Sequence, residues 1–147
     1  MNVQHILAVK GKGVVTIKPR HTVKYAILQM EKHNIGALVV LNDAEQMVGL
    51  ITERQIIRQA PKVADILSRR VDEVMRTEVL TVTLEDDLNA LAHAMTEHRV
   101  RHLPICDQSQ LIGIISIGDV LKAQRDQYRG EASTLEFQIM ADDLTMG

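Results

Sequence analysis

Three short stretches carry side chains able to meet an anion or a pair of hydroxyls. Ser116, Ile117, Gly118 and Asp119 stand where an apolar run gives way to a helical pattern. Free backbone N–H groups and the helix dipole at such a turn favour an anion. Ser116 adds a hydroxyl that can donate to a phosphate, and Asp119, three residues on, projects from the same side of the first turn. A carboxylate accepts hydrogen bonds from two vicinal hydroxyls, which is what a ribose offers. The same pair would equally serve as a helix cap without any ligand. Thr52, Glu53, Arg54 and Gln55 form an earlier copy of this turn, with Gln55 in the place of Asp119. An amide still bonds hydroxyls but lacks the charge that strengthens such bonds. Thr52 and Arg54 remain suited to phosphate, and the later turn is expected to be the better site. The third stretch is the basic cluster His98, Arg99, Arg101 and His102. Arg101 is a fixed cation and His102 a pH-sensitive one, and both are candidate phosphate contacts. The alternative is a solvated charge patch beside Glu97, Glu85 or Asp86, where surface pairs are worth little.

The elements that position these residues occur twice. VVTIKPRHTVKYAILQMEKHNIGALVVL matches VLTVTLEDDLNALAHAMTEHRVRHLPIC at a shift of 65 residues, and VGLITERQII matches IGIISIGDVL at a shift of 64. Thr16 falls on Thr81, Met30 on Met95, His33 on His98 and Gly49 on Gly113. Each copy opens with a β-branched run, Val14–Ile17 or Val79–Val82. A helix follows, its apolar stripe at i, i+3, i+4 and i+7: Val23, Ala26, Ile27 and Met30, or Leu88, Leu91, Ala92 and Met95. Thr22 and Asp87 stand at the N-cap positions. Two apolar runs around a polar turn then read as a hairpin, before a second helix from Glu53 or Ile117. Pro104 removes one ladder donor, consistent with an edge strand. VDEVM (71–75) echoes VQHIL (3–7), so each copy is expected to own a short lead segment. The tail 125–147 is polar, with Leu135, Phe137, Ile139 and Met140 suited to a short packing helix.

Composition bounds the remaining choices. The chain has 147 residues, 46% hydrophobic but only 2% aromatic: Tyr25, Tyr128 and Phe137. A flat ring bound here would lie between aliphatic side chains. The net charge of −2 gives no global field for nucleic acid, and no run approaches the roughly 18–20 apolar residues of a membrane span. A single cysteine and an N-terminus without a signal-peptide pattern point to a soluble, cytoplasmic chain. Cys106 lies in an apolar run with no orienting acid or oxyanion donors, so no catalytic residues are expected. His93, His98 and His102 fall on different elements, so no metal site is expected either. Met30, Met75 and Met95 read as core filler.

Over residues 13–124 the chain resembles a tandem pair of CBS domains. The resemblance rests on GLITERQI (49–56), GIISIGDV (113–120) and VRHLPI (100–105), duplicated at matched spacing with VDEVM before the second copy. It implies an α/β fold of two β-α-β-β-α repeats packed sheet to sheet with pseudo-twofold symmetry. The expected divisions are a lead segment 1–12, a first repeat 13–60, a linker 61–76, a second repeat 77–124 and a tail 125–147. It also implies a regulatory, non-enzymatic module binding AMP, ATP or NAD(H) between the repeats, AMP foremost. Asp119 is then the ribose contact, and the backbone of Val100–Leu103 reads the adenine edge. Ser116, Arg101 and His102 complete that site with Thr81, and Thr52, Arg54 and Gln55 form the weaker one. A homodimer and a separate effector protein are the expected partners. The rival is a dimerisation or docking module that binds no small ligand.

Overall fold

Local signals place most elements where the sequence pattern puts them. The computed structural model describes residues 1–11 and 13–146, with side chains to Asp142. Lys12 and Gly147, the ends of the expected lead segment and tail, lie outside the described residues. The first copy runs β1 (Thr16–Ile17), α2 (Val23–His33), β2 (Ala37–Leu41), β3 (Met47–Thr52) and α3 (Glu53–Gln59), preceded by α1 (Val3–Lys10). After a short 3-10 turn and α4 (Val71–Val74) come α5 (Leu88–His98), β4 (His102–Asp107), β5 (Gln110–Ser116) and α6 (Ile117–Met146). The Thr22 hydroxyl accepts from the Tyr25 N–H and the Asp87 carboxylate from the Asn89 N–H, each capping its helix. Both helices end in a left-handed residue, Asn34 and Arg99.

The two sheets share one register. β2 pairs antiparallel with β3 and β4 with β5, and the irregularity falls at Val40/Leu41 in one and Ile105/Cys106 in the other. These are equivalent positions of the repeat. β1 adds a parallel edge through Thr16↔Val39 and Ile17↔Val40, but the second copy keeps a single bridge, Val82↔Ile105. The missing bridge is Thr81 to Pro104. It would need an N–H from residue 104 to reach the carbonyl of residue 80, and proline has none. Pro104 therefore sits in a strand flanked on both sides, not in an edge strand. Its nitrogen faces the short side, where its carbonyl accepts the Val82 N–H at 3.0 Å.

The lead segments are exchanged. VQHIL precedes the first copy but docks on the second: the Val3 N–H donates to the Asp86 carbonyl, and the Leu88 N–H to the Met1 carbonyl. VDEVM makes the matching bonds to the first copy, Val71 N–H to His21 O and Val23 N–H to Arg69 O. Two cores result. One holds Val3, Ile6 and Leu7 with Leu88, Leu91, Leu103 and Ile115; the other holds Val71 and Val74 with Val23, Leu38 and Ile51. Between them the sheets meet face to face through Val39 and Leu50 on one side and Leu111 and Ile114 on the other. The expected sheet-to-sheet, pseudo-twofold arrangement is the one observed.

The glycines that open both strand-to-helix motifs are explained by the exchange. A Cβ on Gly49 would lie 2.5 Å from Met75 Sδ and 2.9 Å from the Arg76 carbonyl. A Cβ on Gly113 would lie 3.0 Å from Leu7. Each glycine admits the lead segment of the other half. The tail does not form a separate short helix. α6 runs unbroken to Met146, because no proline or left-handed glycine stops it and its composition favours helix.

Candidate functional site

A cleft of about 290 Å³ opens between the repeats. One wall is the β3-to-α3 turn of the first copy with Thr52, Glu53, Arg54 and Gln55; the other is the α5-to-β4 turn with Arg99, Val100, Arg101 and His102. Leu50 and Val100 supply aliphatic surface. Arg58, one helical turn beyond Arg54, and Arg76, from the linker, complete the rim. The cleft thus gathers five guanidinium groups and one imidazole against a single carboxylate, Glu53. None of these arginines has a carboxylate within ion-pair distance among the described residues; Glu97, one proposed neutraliser, pairs with His93 instead. A chain of net charge −2 therefore concentrates positive field in one concave place.

Thr52 and Gln55 are held by local geometry. The Gln55 N–H donates to the Thr52 hydroxyl at 3.1 Å, which caps α3. Gln55 Nε2 donates to the Val74 carbonyl at 2.7 Å, joined there by Gln59 at 3.1 Å. The Gln55 amide oxygen has no hydrogen-bond donor within the chain among the described residues.

Ser116 and Asp119 do not line this cleft, although Ser116 is the cross-strand partner of His102. They form a reciprocal cap on α6: the Asp119 N–H donates to Ser116 Oγ at 3.2 Å, and the Ser116 N–H to Asp119 Oδ2 at 2.9 Å. Lys10 Nζ sits 2.6 Å from the same carboxylate oxygen and 2.7 Å from the Ile114 carbonyl. Asp119 lines a second hollow of about 230 Å³ with Lys10 and Val9 of α1 and Lys122 of α6. Of the remaining candidates, Leu103 is fully buried in the second core and Thr81 is exposed at the lost bridge. Arg101 and His102 face the first-copy turn across the cleft, while behind them His102 pairs with Ser116 across the β4–β5 ladder and the Arg101 carbonyl accepts the Ile117 N–H at 2.8 Å. Arg58 repeats Arg54 at i+4, a spacing legible in the sequence. Arg76 and Lys10 enter only because the lead segments cross.

Burial and the charges of Lys10 and Arg101 hold the His102 imidazole below its ordinary value of 6.5, against opposing pulls from Glu53 and Asp119. Asp119 moves the other way from its burial. Desolvation pushes it up, but the bonds from Lys10 and Ser116 prevail and keep it below 3.8. Burial raises the Cys106 thiol, leaving it protonated at neutral pH. The His102 shift gives a prediction. The unfolded chain protonates this imidazole near 6.5 while the folded chain keeps it neutral to lower pH. Folding stability therefore falls as pH drops below that point, by at most about 1.4 kcal/mol per pH unit for one proton. His21 is lowered as well, so the contrast is with a variant. His102→Gln should be measurably less pH-sensitive than the parent in urea unfolding between roughly pH 6.5 and 5. Equal slopes would refute the assignment.

The comparisons with known proteins agree with the fold. The model of the CBS domain family matches residues 8–62 and 71–126. A mitochondrial CBS domain-containing protein of Arabidopsis thaliana is 37% identical over 123 residues, 80% of this chain. This chain spans 60% of that relative's length. A crystal structure of a CBS-domain protein from Agrobacterium tumefaciens superposes with a TM-score of 0.81 at 35% identity, covering 84% of this chain and 92% of its own. The CBS domain pair of protein MJ0100, solved with 5′-methylthioadenosine and S-adenosyl-L-methionine, shares the fold at 21% identity and a TM-score of 0.76, over 86% and 98% of the two chains. No described helix is long and apolar enough to cross a membrane. Two family matches in tandem, the duplicated register and the cleft between the halves lead to one conclusion: this chain belongs to the CBS domain family and is a pair of CBS domains.

Proposed function

We propose that the chain is a regulatory sensor module that binds an adenine nucleotide in the cleft between its repeats. AMP is the first candidate, with ATP and NAD(H) as the others, and occupancy is passed to an effector protein from a cytoplasmic homodimer. The observation that carries this reading is the cluster of arginines without carboxylate partners facing one cleft. Guanidinium groups match phosphate oxygens bidentately, and their clustering without acids is costly unless an anion neutralises it. Leu50 and Val100 suit the faces of an adenine, since the chain has almost no aromatic side chains to stack on one. The Gln55 amide oxygen suits a ribose hydroxyl. The adenosyl ligands of MJ0100 lend support at the level of fold.

One observation favours the rival docking module. The two residues at the ribose position, Gln55 and Asp119, both already bond the exchanged lead segments, through Val74 and Lys10. Thermal unfolding separates the readings. A ligand bound only to the folded state adds about 2.7 kcal/mol at a hundredfold excess over Kd. AMP, ATP or NADH should raise the melting temperature by several degrees. No shift with any of them, nor with S-adenosylmethionine, would leave the docking reading.

A further inference from the structure

Beyond Met1, the far part of α6 touches little of the fold. Residues 128–140 are exposed without exception, yet they include Tyr128, Leu135 and Ile139 at 65, 59 and 53% exposure. A helix this free draws little stability from packing, and isolated helices of such length are marginal in water. The apolar residues fall on a repeating 4-3 spacing: Leu121, Tyr128, Ala132, Leu135 and Ile139, with Arg125 in the one polar place. That is the seam of a two-stranded coiled coil. Phe137 and Met140 lie on the opposite side and take no part in it.

We propose that this seam pairs with the same helix of a second copy, antiparallel, with the midpoint between Ser133 and Thr134. In that register Ala132 meets Leu135 and Tyr128 meets Ile139 of the second copy, each contact made twice. Arg125 falls opposite Asp142 at the ends. Beside the seam, Arg129 of each helix stands next to Glu136 of the other. Neither Arg129 nor Glu136 has an ion pair within the chain among the described residues. A parallel pairing would instead bring Glu131 of one helix beside Glu136 of the other. The charges thus select the antiparallel arrangement. The inference rests on the homodimer part of the proposed function and is independent of the nucleotide.

Sedimentation equilibrium on the full chain tests it. The parent should be dimeric at micromolar concentration. Glu136→Arg, which sets two arginines side by side on either side of the midpoint, should weaken the dimer at least tenfold. Adding Arg129→Glu to that variant should restore it. Tyr128→Cys/Ile139→Cys should oxidise to covalent dimers, whereas neither single cysteine should, because like residues lie about 16 Å apart along the pair. A dimer indifferent to Glu136→Arg would overturn this interface and leave the homodimer standing. A chain monomeric at all concentrations, with α6 still helical, would overturn both.

Discussion

Arg101→Ala should raise the dissociation constant for AMP by about ten- to a hundredfold, and Arg54→Ala by a similar factor. A hydrogen bond to a charged group contributes roughly 1.5–3 kcal/mol, and about 1.4 kcal/mol is a factor of ten in affinity. The two residues reach the cleft from opposite walls but meet the same anion, so the double variant should bind more weakly than either single one without losing the simple sum of the two effects. Because these arginines have no acidic partner to orphan, removing one should leave the melting temperature of the free chain nearly unchanged. Any change should be a small rise, since like charges are relieved. Calorimetric titration at low and high salt checks this, with affinity for the parent falling as salt increases. Unchanged binding in both single variants would remove the cleft from consideration as the phosphate site.

The second large effect concerns folding alone. Gly49→Val should destabilise the chain by about 2–3 kcal/mol, a cost typical of forcing volume into a packed place. The methionine thioether beside Gly49 can move, but the Arg76 carbonyl is backbone and accepts the Leu50 N–H at 2.9 Å, while the Arg76 N–H donates to the Leu50 carbonyl at 2.9 Å. The expected response is a lower urea midpoint together with easier proteolysis of the linker around Arg69 and Arg70. Gly130→Ala is the control. Nothing lies within 4 Å of its would-be Cβ, and it sits within α6, so the substitution should be neutral or stabilising by up to about 1 kcal/mol. Equal stability of Gly49→Val and the parent would show that the linker does not need its close approach.

Much of the fold was legible because it is written locally and written twice. Helix periodicity, the Thr22 and Asp87 caps, the polar hairpin turns and the glycine-led motifs depend on neighbours within a few residues. Their recurrence at a nearly constant shift identified the repeat. The residues of the cleft were legible as types. Arg99, Arg101 and His102 form a visible cluster, and Thr52, Arg54 and Gln55 a visible turn.

Which of these meet was decided only by tertiary structure. The order of elements along the chain does not say that residues 3–10 dock on the second half and residues 71–76 on the first. That exchange brings Lys10 to Asp119, turns Gln55 toward Val74 and adds Arg76 to the cleft. It also sets the basic cluster against the first-copy turn. Local propensity acts over a few residues. The exchange is set by burial of Val3, Ile6 and Leu7 in one core and Val71 and Val74 in the other, contacts that reach well beyond the range of local propensity.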